Sequence, residues 1–351
     1  MKEPPTGFVL ERLRVALLEH WGIGACELVY LPVGFGAHHW RAVDGTGDTY
    51  FLALHDLETE TEAGFDKLTG ALETAYWLAT TAELEFVVAP LRNRAGGVVH
   101  RYAAGEALAV YPWLECRARS ELDTPDLARL LWRLHASTSA LAPGPARVED
   151  FAIPRRSDLE RALGELDQAW DAGPYGEPAR ERLREAAVPT RELLGLYDQL
   201  TEDALGSRSD WVITHGEPYG PNLVATHDQR ILLVDWDSAL VAPRERDLWE
   251  VPSDGLVMRT YVELTRHVPD PARLRLYRAW YHLAETGIYI HQFRQRHTGD
   301  LNDLEAWSNF LFHLPSRTKW PELSLPGVVG QRLKECAAGG GEVRASTCNR
   351  C

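Results

Sequence analysis

The chain has 351 residues, with 37 Lys+Arg against 51 Asp+Glu and a formal net charge of −14. That balance excludes a surface built to neutralise nucleic-acid phosphates, which needs clustered basic residues. Hydrophobic residues at 45% and charged residues at 25% describe a soluble globular protein long enough for two lobes.

The first stretch, MKEPPTGFVLERLRV, lacks the apolar core of a signal peptide, and no apolar run in the chain is long enough to span a bilayer. Residues 8–22 predict an amphipathic helix with Phe8, Leu10, Leu13, Leu17 and Leu18 on one side. Two strands, Glu27 to Leu31 and Trp40 to Val43, flank the small loop GFGAHHW. Gly34 and Gly36 let backbone amides come close to a phosphate, although a glycine hairpin is the plainer meaning of such a pair. His38 and His39 fall on this loop and read as exposed turn histidines.

A turn at Gly45 to Asp48 leads to a strand, Thr49 to Leu54, and then to a helix, Phe65 to Thr80, carrying Lys67 and Glu73. Strands are expected at Glu85 to Leu91, Gly97 to Arg101 and Ala107 to Leu114. From Asp123 the pattern turns helical. Thr124-Pro125-Asp126 is a start signal, and Leu127, Leu130, Leu131 and Leu134 recur at helical spacing. Helices are expected at Leu159 to Trp170, Glu177 to Leu200, Pro271 to Arg296 and Asp300 to Phe312. On the third of these, Tyr277, Tyr281 and Glu285 are spaced by four, with Trp280 and Tyr289 near the same face. A carboxylate in an aromatic stripe needs a partner, because an unpaired buried charge is costly. Glu285 therefore either pairs with a structural arginine or points at a cationic substrate. Residues 327–351 read as a flexible tail. The five cysteines, Cys26, Cys116, Cys336, Cys348 and Cys351, are scattered without zinc spacing, as expected in a reduced cytoplasm.

The chemistry concentrates between Trp211 and Asp237. Two short apolar runs, Trp211 to Ile213 and Ile231 to Val234, each end in polar residues: His215, Glu217 and Asn222 after the first, Asp235 and Asp237 after the second. Oxygen ligands such as Asn222 and Asp235 suit Mg²⁺, and a carboxylate beside them can take a hydroxyl proton. These are the parts of a phosphoryl-transfer site. His215-Gly216-Glu217-Pro218-Tyr219-Gly220-Pro221-Asn222, then Asp235, then Ala242 to Leu248 (APRERDL), resembles the aminoglycoside phosphotransferase and choline kinase family, relatives of the protein kinases. Within it the pattern is most similar to spectinomycin phosphotransferases.

The resemblance implies an α+β, bilobal, protein-kinase-like fold. It would have an N-lobe with a small antiparallel sheet (1–110), a hinge (111–118) and a larger, mainly helical C-lobe (119–326). It assigns Asn222 and Asp235 to magnesium, and Glu217, with His215 bracing its loop, to the position of the catalytic aspartate. Gly34 and Gly36 fall in the phosphate-covering loop. Tyr111 to Leu114, with Tyr111 and Trp113, form a hinge whose backbone meets adenine. Two departures stand out: Glu217 replaces the family's Asp, and Ala53 replaces the lysine of the third strand. Arg41 or Lys67 would then supply the missing charge, and Glu73 is the candidate helix glutamate. Asp237 is a second metal ligand or, like Glu285, a substrate contact. Arg244 and Asp247 read as structural braces.

The expected activity is transfer of the γ-phosphoryl group of ATP, or GTP, to a hydroxyl of a small polar molecule, including cationic ones such as an aminoglycoside or aminocyclitol. That implies Mg²⁺, a nucleotide co-substrate, a cytoplasmic setting, a link to antibiotic resistance, and neither nucleic acid nor membrane as partner. The alternatives are an impaired kinase-like binding protein and a peptide kinase of a biosynthetic pathway.

Overall fold

Alternation along β2 (Ala37–Asp44) and β3 (Thr49–Asp56) gives the N-terminal sheet two unlike faces. The computed structural model describes residues 1–324 except 6, 58–61, 119–124, 141–144 and 206–207. With β1 (Ala25–Leu31), β4 (His100–Ala103) and β5 (Glu106–Pro112), these strands form a five-stranded antiparallel sheet in the order β1-β2-β3-β5-β4. Trp40, Leu52, Leu54 and Val110 on one face bury Leu13 and Leu17 of α1 (Leu10–Trp21). The opposite face carries His39, Ala53 and Ala109 side by side, then Ala37, His55 and Ala107.

Ala107 and Ala109 belong to a second core that joins the sheet to the rest of the chain. It gathers α2 (Glu62–Thr80), α3 (Pro125–Ala136), α7 (Leu256–Thr265) and the short strands β7 (Val212–Thr214) and β9 (Ile231–Leu233). Leu127, Leu130, Leu131 and Leu134 of α3 are all buried here, each contributing roughly 2 kcal/mol. β6 (Cys116–Ala118), β8 (Leu223–Thr226) and β9 form a three-stranded sheet, and β7 pairs with β10 (Leu240–Ala242). A third core packs α4 (Arg156–Gly164), α5 (Gly176–Glu185), α6 (Ala187–Ala204), α8 (Pro271–Arg294) and α9 (Leu301–His313). The fold is thus an antiparallel sheet followed by a mainly helical part, as expected.

Several local expectations are corrected. Residues 85–91 are not a strand of the N-terminal sheet. Val87 makes a parallel bridge to Leu233, with Val88 N donating to Leu233 O and Leu233 N to Phe86 O. Pro90 has no N–H to extend that ladder. The helix expected to reach Trp170 stops at Gly164, and Trp170 enters the core from an irregular segment. The expected helix at 177–200 is two helices broken at Ala186. Pro189 lacks the amide that would bond Glu185, so it serves in a first helical turn instead. His38 and His39 lie in β2 rather than on an exposed turn, and His38 is buried. The tail expectation (327–351), Thr124, Cys336, Cys348 and Cys351 lie outside the described residues. Among the described residues no helix is long and apolar enough to cross a membrane.

Burial holds His38 and His282 at about 4 and His313 at about 3, below the usual 6.5. Each is neutral when folded and takes a proton when unfolded. Its contribution to stability is complete above pH 6.5 and is lost as pH falls through 6.5 toward 4. We expect urea unfolding midpoints to drop over that window by the equivalent of about 1–3 kcal/mol per histidine. Histidine-to-asparagine variants at these positions should show a correspondingly flatter pH dependence.

Candidate active site

β7 ends at Thr214, and the chain turns sharply through His215, Gly216 and Glu217. Gly216 has φ +108°, and a Cβ there would lie 2.6 Å from Arg246 Nη2, so the turn tolerates no side chain. The fully buried Asp247 carboxylate accepts from the amides of His215 at 3.0 Å and Gly216 at 2.6 Å. His135 Nε2 donates to the same carboxylate at 3.1 Å and is set in turn by the Tyr261 hydroxyl at 2.6 Å from Nδ1. Burial alone would raise Asp247, but the His135 hydrogen bond and nearby charges hold it below its usual value. Asp247 is therefore the structural brace expected of it.

His215 Nε2 donates to Val234 O at 2.9 Å, and its Nδ1 accepts from Glu217 N at 3.2 Å. Burial keeps the ring neutral, at about 4. Both nitrogens are committed to backbone, so His215 ties the turn after β7 to the loop after β9 and is not free to exchange a proton. Burial lifts the Glu217 carboxyl to about 7, with further lift from Glu285, Asp235 and Glu250 and opposition from Arg246. A carboxyl held there can both take and give a proton near neutral pH. It lines a recess of about 330 Å³, partly open to solvent, walled by Arg246, Trp249, Trp280 and Tyr281.

Asn222 Nδ2 donates to Glu217 O at 3.1 Å, which leaves the amide oxygen as the end that can meet a cation. Asn222 O accepts from Val234 N at 3.0 Å, fixing the catalytic turn to the next loop. There Asp235 takes φ +66°, a strained conformation for a residue with a Cβ. Trp236, fully buried and bonded through its indole to Leu233 O, anchors the loop between Asp235 and Asp237. The neighbouring Asp237 carboxylate pushes Asp235 well above its usual value. Two carboxylates that repel each other are relieved by a divalent cation, and oxygen donors of this kind suit Mg²⁺, to which Asn222 would add an amide oxygen. Among the described residues no group of three His, Cys, Asp or Glu forms a metal cluster. Mg²⁺ typically asks for only one or two protein ligands.

On the sheet side, Gly34 and Gly36 have φ +69° and +87°, as the close-approach loop requires. Ala53 is buried and supplies no charge. Arg41 is paired with Glu27 at 2.5 Å and Glu73 with Arg92 at 2.9 Å. Lys67 sits half-buried on α2. Arg41 is thus committed to Glu27 of the neighbouring strand rather than to the Asp235–Asp237 loop. From the sheet, His55, two residues beyond Ala53 on the same face, approaches that loop with Nδ1 3.6 Å from Asp237 Oδ2. Tyr111 faces the cleft and feels both Asp235 and Asp237 after burial. Trp113 N donates to Thr49 O at 3.2 Å. Glu285 has no structural arginine as its hydrogen-bond partner; it accepts from the neutral Tyr289 hydroxyl at 2.6 Å, and burial raises it.

The model of the phosphotransferase enzyme family matches residues 28–277, some 71% of the chain. The chain belongs to this phosphotransferase family. Protein StrN from Streptomyces griseus is 30% identical over 303 residues, covering 82% of this chain and 86% of StrN. A spectinomycin phosphotransferase solved with ADP and spectinomycin matches with a TM-score of 0.66 and 15% identity over 86% of this chain and 93% of that one. An amicoumacin kinase solved with AMP-PNP and Ca²⁺ matches at 0.57 and 14% over 87% and 92%. At such identities these structures show a shared fold.

For a phosphotransferase-family chain, the residues that sequence reasoning missed are His55, Arg246, Trp249 and Glu250. Arg246 lay within the quoted APRERDL run but had no periodic signal to mark it as buried. His55 needed the strand register to be placed opposite Asp237. In this family member, Asp247→Ala should cost about 3 kcal/mol or more, because it orphans two buried amides and His135. The denaturation midpoint measures this. Glu217→Gln should act in the opposite direction. A folded pKa of about 7 against 4.5 means stability falls as pH rises from 4.5 through 7. The metal-free Gln variant should therefore melt a few degrees higher at pH 8, a gain on the order of 1–3 kcal/mol, and show no gain at pH 4.5.

Proposed function

We propose that this protein transfers the γ-phosphoryl group of ATP, or GTP, to a hydroxyl of a small, cationic polyol of the aminoglycoside or aminocyclitol kind. The observation that carries this reading is the Glu217 carboxyl, lifted to about 7, beside the oxygen set of Asn222, Asp235 and Asp237. Mg²⁺ held by Asp235 and Asn222 would supply charge neutralisation at the phosphates. Glu217 orients the acceptor hydroxyl and takes its proton. His215 and Asp247 hold the turn so that the longer glutamate side chain starts from a fixed backbone. Glu285 and Glu250 add negative potential to the recess, and Trp249 and Tyr281, with ring centroids 5.0 Å apart, offer flat apolar faces to a sugar-like ring. An acceptor of the antibiotic class would make this a resistance enzyme working in the cytoplasm. In this reading residues 1–110 form the nucleotide lobe, 111–118 the hinge and 119–326 the acceptor lobe.

A nucleotide-binding protein without transfer is the second reading, favoured by Ala53, which leaves the third strand without a cation. The recess beside Glu217 argues for small acceptors over peptides.

The test is labelled ATP with Mg²⁺ and a panel of aminocyclitols, aminoglycosides and choline. Transfer is expected to at least one acceptor. Glu217→Gln should lower kcat by roughly 10²–10⁴ with nucleotide affinity kept. Asp235→Ala should abolish Mg²⁺-dependent nucleotide binding. Nucleotide binding without transfer to any acceptor would favour the second reading; absence of nucleotide binding would remove both.

A further inference from the structure

The segment at residues 2–3 runs between the two parts of the molecule and is held from both. Glu3 O accepts from the Tyr30 hydroxyl of β1 at 2.8 Å and from Asn302 Nδ2 of α9 at 3.2 Å. Asn302 Oδ1 accepts in return from the amides of Lys2 at 2.6 Å and Glu3 at 3.2 Å. Lys2 Nζ adds an ion pair with Glu305 of α9 at 2.9 Å. One backbone carbonyl is therefore shared by an N-lobe hydroxyl and a C-lobe amide. Each bond satisfies a polar group that the other lobe could not reach alone.

A second contact crosses the same gap. Phe35, at the tip of the β1–β2 hairpin between Gly34 and Gly36, places its ring 5.7 Å from the ring of Tyr289 on α8. Phe35 is otherwise 37% exposed, an unusual setting for a phenylalanine at a glycine turn unless the tip has a docking partner. Tyr289 donates to Glu285, and Tyr281, Glu285 and Tyr289 recur every four residues along α8. Tyr281 lines the recess beside Glu217. The hairpin tip therefore rests on the face of α8 that continues the recess wall.

We propose that the β1–β2 hairpin is a gate over this recess, latched to α8 and α9 at two points: the Glu3 carbonyl between Tyr30 and Asn302, and Phe35 against Tyr289. Both contacts sit toward the loop end of the hairpin, Tyr30 one residue before the end of β1 and Phe35 in the loop itself, so together they hold the tip against α8 and α9. Releasing them frees the tip to swing away from Glu285. An acceptor reaching Glu285 then meets Phe35, so the hairpin that covers the nucleotide also bounds the acceptor. That last consequence rests on the function proposed above. The latch itself does not, because it is measured on the protein without ligand.

Hydrogen exchange followed by mass spectrometry tests it, with the amides of residues 31–39 referred to those of residues 127–134 in the same molecule. The reference cancels any general loss of stability. Asn302→Ala and Phe35→Ala should each speed hairpin exchange several-fold relative to α3, and the double variant by about 10–100-fold, as expected for two contacts of ordinary strength. Tyr289→Phe keeps the ring and should leave hairpin protection within about twofold. Lys2→Ala removes an exposed pair and should change little. A hairpin-to-α3 ratio unchanged in the double variant overturns the latch. So does a hairpin that exchanges freely in the unsubstituted protein. If transfer to every acceptor fails while the exchange ratios behave as stated, the function proposed above falls and the latch stands.

Discussion

The site depends on one buried carboxylate. Asp247 takes the amides of His215 and Gly216 and a ring nitrogen of His135, three donors from two separate elements. A tight turn ending a three-residue strand has too few ladder bonds of its own to hold a fixed shape. Asp247 supplies them from the far side, at the floor of the second core. Because the charge is fully buried, its hydrogen bonds are stronger than they would be in water, and leaving any of them unmade would be costly. Gly216 completes the arrangement, since its missing Cβ is the space filled by the Arg246 guanidinium.

On that rigid base the protein carries charge it has not neutralised. Glu217 and Glu285 are raised by burial, and Asp235 is raised first by Asp237. Asp235 also sits in a left-handed conformation. Groups of this kind destabilise a fold, and they persist where surrounding packing over-determines them. Trp236 locked under the metal loop and the aromatic wall of α8 provide that packing. The mutual repulsion raises the free energy of these groups together, and any positive charge placed among them would lower it.

Three of the contacts through which the two parts of the chain meet differ in kind. The second core joins them by burial of β5 alanines with α2 and α3. Residues 86–88 join them by backbone bonds to β9. The hairpin contacts to α8 and α9 join them by a few polar bonds and one ring pair. The first two are extensive and fixed. The third is sparse, and sparse contacts are where local opening is cheapest.

What the sequence determined by itself was local. The leucines of α3 recur at helical spacing and are buried; His215, Asn222 and Asp235 stand in a spaced motif; the glycines of the hairpin take positive φ. All of these follow from periodicity or from backbone sterics within a few residues. What only the tertiary structure decided was long-range. Segment 85–91 reads as a strand, but which sheet it joins depends on β9, more than a hundred residues away. Arg41 looked like a replacement for the charge absent at Ala53, yet it pairs with Glu27, and strand register brings His55 to Asp237. Glu285 was ambiguous between an arginine and a ligand, and its actual partner, Tyr289, lies one turn along its own helix. The reason is physical: charge pairing and proton affinity are set by distance and burial in three dimensions, and neither quantity is encoded in the spacing of residues along the chain.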